Sequence, residues 1–202
     1  MKYYSILNHD KSYIPKFGEI ANGVIIEKKS KFYSYIFKVN SEEEAINYIN
    51  IIKDNNKEAR HVVYIYSLLQ NNVCNIRFSD DGEPKGTGTK AIYELLTKEA
   101  ITNICIIIVR YFGGILLGAG PLSRTYLNTA RKALDICTKK EIYHYIDYDF
   151  SVTYSKYTQI KPIIDKYIID ETIILKDIQF NENVDISIKI RDLMYQTVVN
   201  QI

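Results

Sequence analysis

A cluster of carboxylates and one histidine could together bind a metal ion or carry out acid–base chemistry. Asp80, Asp81 and Glu83 crowd into the segment "RFSDDGEPKGTGTK" (residues 77–90), and His61 precedes them. Two carboxylates with an imidazole can hold a divalent ion or share general acid–base catalysis. The same Asp-Gly and Glu-Pro steps also suit a turn between a strand and a helix, in which Asp side chains bond their own backbone. His61, Asp81 and Glu83 are therefore candidate catalytic residues, with a purely structural turn as the alternative, and no metal site is predicted.

A second segment, "IIIVRYFGGILLGAGPLSR" (residues 106–124), joins β-branched residues to a glycine-rich stretch and a proline. Its glycines are Gly113, Gly114, Gly118 and Gly120. They let the backbone adopt positive φ and bring its N–H groups close to a ligand. A helix predicted to begin near Pro121 would direct the positive end of its dipole toward this loop, which is therefore a candidate anion seat. The alternative is that the glycines allow a helix to pack tightly against a strand.

Arginines flank the glycines in this second segment. Arg110 ends the apolar run before them, and Arg124 follows Pro121. In the predicted helix, Arg124, Asn128 and Arg131 have i, i+4, i+7 spacing, so they share one polar face. These arginines are candidates for binding the phosphate groups of a ligand.

Neither segment matches a standard nucleotide or calcium motif. The glycine spacing of a P-loop recurs in the second segment, but Ala119 stands where that motif requires Lys. In "GAGPLS", Ser123 replaces the third glycine of the dinucleotide-binding fingerprint. A calcium loop centred on Gly82 would place Arg77 at its first ligand position. No cofactor is predicted.

Length and composition indicate an ordinary globular protein. The chain has 202 residues, 47% of them hydrophobic, which is enough for one large domain or two small ones. Its net charge of +2 is too small to identify a nucleic-acid-binding protein. Residues 1–142 carry 20 Lys and Arg against 15 Asp and Glu, whereas residues 143–202 carry 6 against 9. A polyanionic partner should prefer the first part, although both parts could be ordinary solvated surfaces.

Apolar runs and cysteines bear on the cellular compartment. The N-terminal residues contain no apolar stretch of the signal-peptide type, and no run approaches the about 20 apolar residues that a transmembrane helix needs. Cys74, Cys105 and Cys137 lack C-x-x-C spacing and fall in apolar patterns, which predicts buried thiols and argues against a zinc site. We expect a soluble, cytoplasmic protein without a membrane partner.

The periodicity of the first 142 residues predicts pairs of strands that alternate with single helices. Two strands meet at a polar turn within residues 28–31, and a capping box of Ser41 and Glu44 starts an amphipathic helix. Two further strands flank a turn at residues 70–72, and the unalternating "NICIIIVR" should be a strand buried on both faces. Apolar stripes predict two more helices: Ile92, Leu95 and Leu96, then Tyr126, Ala130, Ala133, Leu134 and Cys137. This order predicts an α+β domain with helices covering one sheet face.

The pattern restarts after the polar segment "CTKKEIYHY". The elements predicted there are a strand at 145–154, a helix at 155–169, strands at 171–180 and 184–190, and a helix at 191–202. This βαββα order predicts a split βαβ ferredoxin-like unit that lacks its last strand. Pro162 lies inside the first predicted helix, where a proline costs about 3 kcal/mol, so that helix is expected to begin later.

The two unusual segments together resemble the signature of the YigZ/Impact family, bacterial relatives of the eukaryotic translation regulator Impact. The family pattern D-D-G-E-P-x-G-T is matched at residues 80–87, and R-Y-F-G-G-x-x-L-G-x-G at residues 110–120. The similarity extends to "KKSKF" at residues 28–32 and to A-x-H at residues 59–61. It covers roughly residues 19–135.

This resemblance implies an α+β fold in two domains. Residues 1–142 would form a ribosomal-protein-domain-2-like βαβ domain of the left-handed type, and residues 143–202 a smaller ferredoxin-like domain similar to one in elongation factor G. Both parallels point to RNA or the ribosome, although the first fold also resembles that of small-molecule kinases. Pro121 stands where the family commonly has Gly, so the start of its helix can differ by a residue or two.

The residues and the resemblance lead to one main hypothesis and two alternatives. The main hypothesis is a non-catalytic RNA- or ribosome-associated regulator of translation with an anion-binding glycine-rich cleft, in which Tyr111 or Phe112 stacks on a base. The first alternative is an enzyme that acts on a small phosphorylated or peptide ligand in the same cleft. The second is a protein partner at the C-terminal domain. The predicted ligand- or phosphate-binding residues are Lys85, Thr87, Lys90, Arg110, Tyr111, Gly113, Gly114, Gly118, Gly120, Arg124 and Arg131.

Overall fold

The computed structural model describes residues 3–6, 23–70 and 73–202. The chain divides into two compact units, Met1–Ile142 and Tyr143–Ile202. Most of the turn predicted at residues 70–72, and the first residues of the family resemblance, lie outside the described residues. The α+β class predicted from the sequence is confirmed, because each unit combines an antiparallel sheet with helices.

The first unit is organised around a five-stranded antiparallel sheet. Its strands are β2 (Gly23–Glu27), β3 (Ser30–Lys38), β4 (His61–Gln70), β5 (Val73–Ser79) and β6 (Ile104–Tyr111). They lie in the order β2-β3-β6-β4-β5. The predicted polar turn joins β2 to β3 through Lys28 and Lys29, both at positive φ. A separate antiparallel pair is formed by β1 (Tyr3–Ile6) and β7 (Lys139–Ile142). This pair was not predicted, because the polar sequence of β7 is typical of a linker.

A helical crossover lies within this antiparallel sheet. Strands β3 and β4 both pair antiparallel with β6, which lies between them, so they run in the same direction. They are connected by α1 (Glu42–Asn55), which crosses from one to the other. The result is a split βαβ unit, in which β6, a later strand of the chain, lies between the two parallel strands.

The sheet buries both of its faces, which corrects the prediction that helices cover one face. The other two helices of this unit are α2 (Lys90–Lys98) and α3 (Ala119–Leu134). Along β6, Ile106 and Ile108 pack with α2 and α3, whereas Ile107 and Val109 pack with α1 on the opposite face. Alternate residues of a strand point to opposite faces, so the continuous apolar run of β6 is explained by this three-layer arrangement. Its prediction as a strand buried on both faces is confirmed.

The cysteine thiols are less uniformly buried than predicted. Cys105 lies in β6 at the centre of the sheet and is fully buried, which raises the pKa of its thiol. Cys74 and Cys137 are only partly buried, because each lies near the end of the apolar pattern that contains it.

The start of α1 follows its sequence signal closely. The Ser41 hydroxyl accepts a hydrogen bond from the N–H of Glu44 at 3.1 Å. The Glu44 carboxylate accepts from the N–H of Asn40 at 2.8 Å, one residue before the cap. These two bonds satisfy backbone donors that lack partners inside the helix.

The start of α3 differs from its prediction. The helix begins at Ala119 rather than at Pro121, and Gly118 caps it at a φ of +82°. Pro121 is therefore the third helical residue. The first N–H groups of a helix have no acceptor within the helix, so a proline there still loses no hydrogen bond. Gly120 consequently belongs to the first turn of α3 and not to a loop.

The second unit has the predicted βαββ order. Its elements are β8 (Tyr145–Val152), α4 (Tyr154–Ile169), β9 (Ile173–Phe180), β10 (Val184–Arg191), a short 3₁₀ turn (Asp192–Met194) and α5 (Tyr195–Val199). The antiparallel sheet has the order β8-β10-β9, so β10 lies between two strands that α4 connects. The final helix predicted over residues 191–202 is shorter than expected, because only Tyr195–Val199 form an α-helix after the 3₁₀ turn.

The expectation that α4 begins late is wrong. It begins at Tyr154, and Pro162 lies in its interior. The helix tolerates this because the Thr153 hydroxyl caps it through the N–H of Lys156, and because Pro162 lies on the exposed face, where water can satisfy the freed carbonyl. Among the described residues, none of the helices is long and apolar enough to cross a membrane.

Candidate functional site

Asp80 shapes the loop between β5 and α2. Its carboxylate accepts hydrogen bonds from the N–H groups of Gly86 at 2.6 Å, Gly88 at 3.1 Å and Thr89 at 2.9 Å. It also accepts from the Thr89 hydroxyl at 2.9 Å. One side chain therefore folds the loop back on itself and holds the residue that precedes α2. For Asp80 the structural reading of the acidic segment is correct.

Asp81 fastens the same loop to the start of β4. One carboxylate oxygen accepts from the N–H of Val62 at 2.6 Å, and the other lies 3.3 Å from the Lys53 ammonium. Its carbonyl oxygen contacts Nδ1 of His61 at 2.7 Å. Both carboxylate oxygens are thus engaged, one by a backbone N–H and the other by a lysine ammonium. Within the part of the chain that the structure describes, no group of three or more His, Cys, Asp and Glu residues is arranged to hold a metal ion.

Glu83 and Arg110 form a buried ion pair. Oε1 of Glu83 lies 2.5 Å from Nη1 of Arg110 and accepts from the Tyr126 hydroxyl at 2.7 Å. The Glu83 side chain is only 3% exposed and that of Arg110 only 6%. Burial, and then the hydrogen bond to the neighbouring carboxylate, raise the pKa of Tyr126, so its hydroxyl is a donor at neutral pH. The pair links the first sequence segment to the second.

Within the described part of the chain, the Arg110 guanidinium is not fully paired. It lies near two aromatic rings, with Cζ 5.3 Å from the centroid of Phe32 and 5.6 Å from that of Phe112. Nη1 bonds Glu83, but Nε is buried and has no partner among the described residues. Buried donors are normally satisfied, so this nitrogen is unusual.

His61 completes the polar group. Because a carbonyl oxygen can only accept, its contact with Asp81 places the hydrogen on Nδ1. Nε2 then lies 3.6 Å from Oε2 of Glu83 on the other side of the ring. The predicted association of His61 with an acidic residue is therefore present, but its carboxylate partner is Glu83.

The glycines of the second segment have different structural roles. A Cβ on Gly113 would lie 2.1 Å from the carbonyl carbon of Lys29, and the Gly113 N–H donates to the Ser30 hydroxyl at 3.1 Å. Gly113 therefore serves packing, but against the β2–β3 turn and not between a helix and a strand as the alternative interpretation held. Gly114 and Gly118 have φ of +83° and +82° with open space beside them. At these two positions backbone conformation is the reason for glycine.

The two sequence segments meet in one cleft of about 570 Å³. Its polar side chains are those of Arg60, His61, Glu83 and Arg110. The backbone of Gly118 and Ala119, at the start of α3, also faces it. A volume of this size suits a small molecule or a short stretch of chain.

The remaining lining of the cleft is apolar and was mostly missed by sequence reasoning. Leu117 and Leu122 are buried, whereas Phe112 is 44% and Leu116 82% exposed. The signal that could have identified this lining is the apolar run "ILL" of residues 115–117, which lies between the glycines of the second segment. Arg60, adjacent to His61, was also missed because neighbouring strands had to be paired before its position was known.

Most of the predicted ligand residues lie outside this cleft. Of the predicted set, the cleft contains His61, Glu83, Arg110 and Gly118. The residues outside it are Asp81, Lys85, Thr87, Lys90, Tyr111, Gly113, Gly114, Gly120, Arg124 and Arg131. Thr87 is buried and donates to the Pro84 carbonyl at 2.6 Å. The cations Lys85, Lys90, Arg124 and Arg131 are exposed to solvent.

Tyr111 belongs to the opposite face of the sheet. Its hydroxyl donates to Oδ1 of Asn56 at 2.8 Å, and its ring packs edge-on against Tyr33. Because consecutive strand residues alternate, Tyr111 points away from the face that buries Arg110. Between the two aromatic residues considered for base stacking, only Phe112 lines the cleft.

Comparison with known proteins gives consistent matches. A family model described as the Impact N-terminal domain matches residues 28–134, which include both cleft-forming segments. IMPACT family member YvyE of Bacillus subtilis (strain 168) is 32% identical over 166 residues, covering 80% of this chain and 72% of that protein. IMPACT family member YigZ of Escherichia coli (strain K12) is 30% identical over 139 residues, or 68% of each chain. A crystal structure described as that of an hypothetical protein has the same fold, with a TM-score of 0.59, 23% identity, and coverage of 87% of this chain and 85% of its own.

Proposed function

Because this chain belongs to the IMPACT family, we propose that it is a non-catalytic, RNA- or ribosome-associated regulator of translation. The sequence resemblance implies the role in translation. We further assign residues 1–142 to a ribosomal-protein-domain-2-like domain and residues 143–202 to a ferredoxin-like domain, both of which suit contact with RNA.

The observation that carries the RNA proposal is a row of exposed polar side chains on α3. Arg124, Asn128 and Arg131 all face solvent, and no carboxylate of a described residue pairs with either arginine. Exposed, unpaired cations on one helix face can contact successive phosphates. Lys85 and Lys90 add exposed positive charge in the same unit, which carries the excess of basic residues.

The cleft supplies a second element of the proposal, a seat for an anion. It contains Arg60 and Arg110, and the start of α3 directs its free N–H groups outward beside it. The contacts of the two candidate carboxylates support the non-catalytic proposal. Asp81 bonds a backbone N–H and a lysine, and Glu83 bonds an arginine and a tyrosine.

Sedimentation with ribosomes tests the RNA proposal. The intact chain should cosediment with ribosomes or a subunit at low salt and dissociate between about 50 and 200 mM salt, because phosphate contacts release counterions. An Arg124→Ala, Arg131→Ala variant should bind more weakly and with a flatter salt dependence. Lys156→Ala, Lys166→Ala is the matched control, since it removes the same charge from exposed positions of α4. Equal loss in both variants would contradict the assignment to α3.

The second candidate function is an enzyme that acts on a small phosphorylated or peptide ligand in the cleft. The feature that favours it is the buried group of Glu83, Arg110 and Tyr126 beside a cavity of ligand size. A metabolite screen by thermal denaturation tests it, because a ligand at 100 times its dissociation constant should add about 2.7 kcal/mol of stability. A melting temperature unmoved by every compound would count against this function.

A protein partner remains proposed for the second unit. Its sheet order leaves β8 and β9 as edge strands, and the unit carries more acidic than basic residues. An exposed strand edge can pair with a strand of another protein. Co-purification that survives nuclease treatment, and that Ile174→Lys on β9 abolishes, would be the expected result.

A further inference from the structure

The start of α3 has two backbone donors without partners in the described part of the chain, and one of them, the N–H of Ala119, lines the cleft. Gly118 caps the helix without a side-chain hydrogen bond. Within the described residues, the N–H groups of Ala119 and Gly120 have no acceptor, and Pro121, the next residue, has no N–H at all. The first helical turn therefore presents a pair of donors and not the larger set that cradles a phosphate group in nucleotide-binding loops. A pair of donors suits a group with two acceptor oxygens.

A second, independent feature points to a ligand at the same place. Arg110 is only 5% exposed and lines the cleft, and its Nε has no partner among the described residues. An arginine presents several donors in a fixed plane, and here the described residues leave Nε unpaired on a side chain that lines the cavity. A bound acceptor would satisfy a group that the protein itself leaves unsatisfied.

The fixed charges around the cleft favour an anionic ligand. Arg60 and Arg110 contribute positive charge, and Glu83 cancels one of them through its ion pair. The helix start adds the equivalent of about half a positive charge. The sum is about +1.5, which suits an anion such as a carboxylate, and a phosphate monoester, with a charge of about −1.5 to −2 at neutral pH, is the competing anion.

The rest of the cleft is suited to an apolar group. Phe112 and Leu116, which are exposed, line the cleft together with the buried side chains of Leu117 and Leu122. Water-exposed apolar surface inside a cavity that also holds a few convergent polar groups is typical of a binding site. A ligand that carries both an anionic group and an apolar side chain would use both parts of the lining.

We infer that the cleft binds the C-terminal carboxylate of a peptide chain whose last residue is large and apolar. The carboxylate accepts from the N–H groups at the start of α3 and is held by the nearby arginines, and the apolar side chain contacts Phe112 and Leu116. This inference rests on the proposed anion seat. It is independent of the proposed RNA contact, which uses exposed cations on the α3 face outside the cleft.

Fluorescence anisotropy with short labelled peptides tests the inference. A peptide that ends in leucine with a free carboxylate should bind, and the same peptide with a C-terminal amide should bind at least about tenfold more weakly, because hydrogen bonds to a charged group are lost. A peptide that ends in aspartate should also bind weakly. Inorganic phosphate serves as the competitor that reports a phosphate-specific seat.

Ala119→Pro removes one donor while leaving the helix intact. Proline is well suited to the first helical position, and the preceding Gly118 has a ψ of 155°, which a following proline permits. This variant should lose about tenfold in affinity for the free-acid peptide. Ala119→Ser, which keeps the N–H, is the matched control, and Leu116→Ser should weaken binding without affecting the preference for the free acid.

The two proposals fail separately. Ala119→Pro should still sediment with ribosomes, and Arg124→Ala, Arg131→Ala should still bind the peptide. Equal binding of acid and amide peptides, displacement by inorganic phosphate, no binding of any peptide, or equal affinity of Ala119→Pro and Ala119→Ser would each overturn the carboxylate inference. Unchanged thermal unfolding of the variants establishes that they are folded.

Discussion

Removing the positive charge from the buried ion pair tests the structural account of the cleft. Arg110→Met keeps most of the side-chain volume but leaves Glu83 buried with the Tyr126 hydroxyl and, at 3.6 Å, Nε2 of His61 as its partners. Taking one partner from a buried pair costs about 3–5 kcal/mol. Because Tyr126 still donates to the carboxylate, we expect the lower end, about 3 kcal/mol. That is a large share of the about 5–15 kcal/mol that stabilises a typical domain.

A double variant separates the loss of the pair from the loss of packing. In Arg110→Met, Glu83→Gln, no buried charge remains, and the amide oxygen of Gln can still accept from Tyr126. We expect the second change to restore about 2 kcal/mol, which is within the range of coupling energies measured between residues in contact. Arg131→Met, on the exposed face of α3, is the control and should change stability by less than about 0.5 kcal/mol.

The measurement is urea unfolding followed by circular dichroism, with amide hydrogen exchange of β6 residues to report on the first unit alone. The denaturant slope should be the same in all variants if only stability changes. A loss of less than about 1 kcal/mol in Arg110→Met, the value typical of a solvent-exposed pair, would refute the reasoning. The reasoning would also be refuted if the double variant lost as much unfolding free energy as the two single variants lose together.

Three further predictions concern a glycine, a tyrosine and a helix cap. Gly113→Ala should destabilise by more than about 3 kcal/mol in chemical denaturation, because its Cβ would lie 2.1 Å from the Lys29 backbone, whereas Gly114→Ala, in open space, should cost only about 1 kcal/mol of conformational strain. The pKa of Tyr126 is raised in the folded state, so its contribution to stability is present below the unfolded pKa of about 10 and is lost as pH rises above it. Tyr126→Phe should therefore show a fall in unfolding free energy above pH 10 that is shallower by about 1.4 kcal/mol per pH unit, and equal slopes would contradict this. Ser41→Ala should cost about 1 kcal/mol and Ser41→Asp much less, as measured by thermal unfolding.

Local patterns in the sequence predicted most of the elements of this fold. The capping box of α1, the apolar stripe of α2 and the unbroken apolar run of β6 depend on neighbours within a few residues, so the chain itself contains the information. Two matched motifs at the correct separation also indicated the family. The β1–β7 pair was missed because polar strand residues have no distinctive local pattern, and the pairing joins opposite ends of the first unit.

Functional interpretation needed distances between residues far apart in sequence. The acidic segment could be read as catalytic or structural, and only the folded chain assigns Asp80 and Asp81 to backbone bonds and Glu83 to the cleft. The exposed cations and the buried Arg110 looked equivalent in sequence. Burial and pairing distinguish these arginines. The guanidinium groups on α3 are solvated charges, whereas that of Arg110 on β6 is buried and neutralised by an ion pair.

The sequence by itself determined most of the secondary structure, the family and the two segments that form the cleft. Only the tertiary structure decided that those segments share one cleft, that Tyr126 from α3 supports Glu83, and that Tyr111 faces away. The physical reason is that hydrophobic periodicity and capping are properties of adjacent residues. A binding site depends on which strands pair, and on which face alternate side chains are buried, and these are settled only when the whole chain packs.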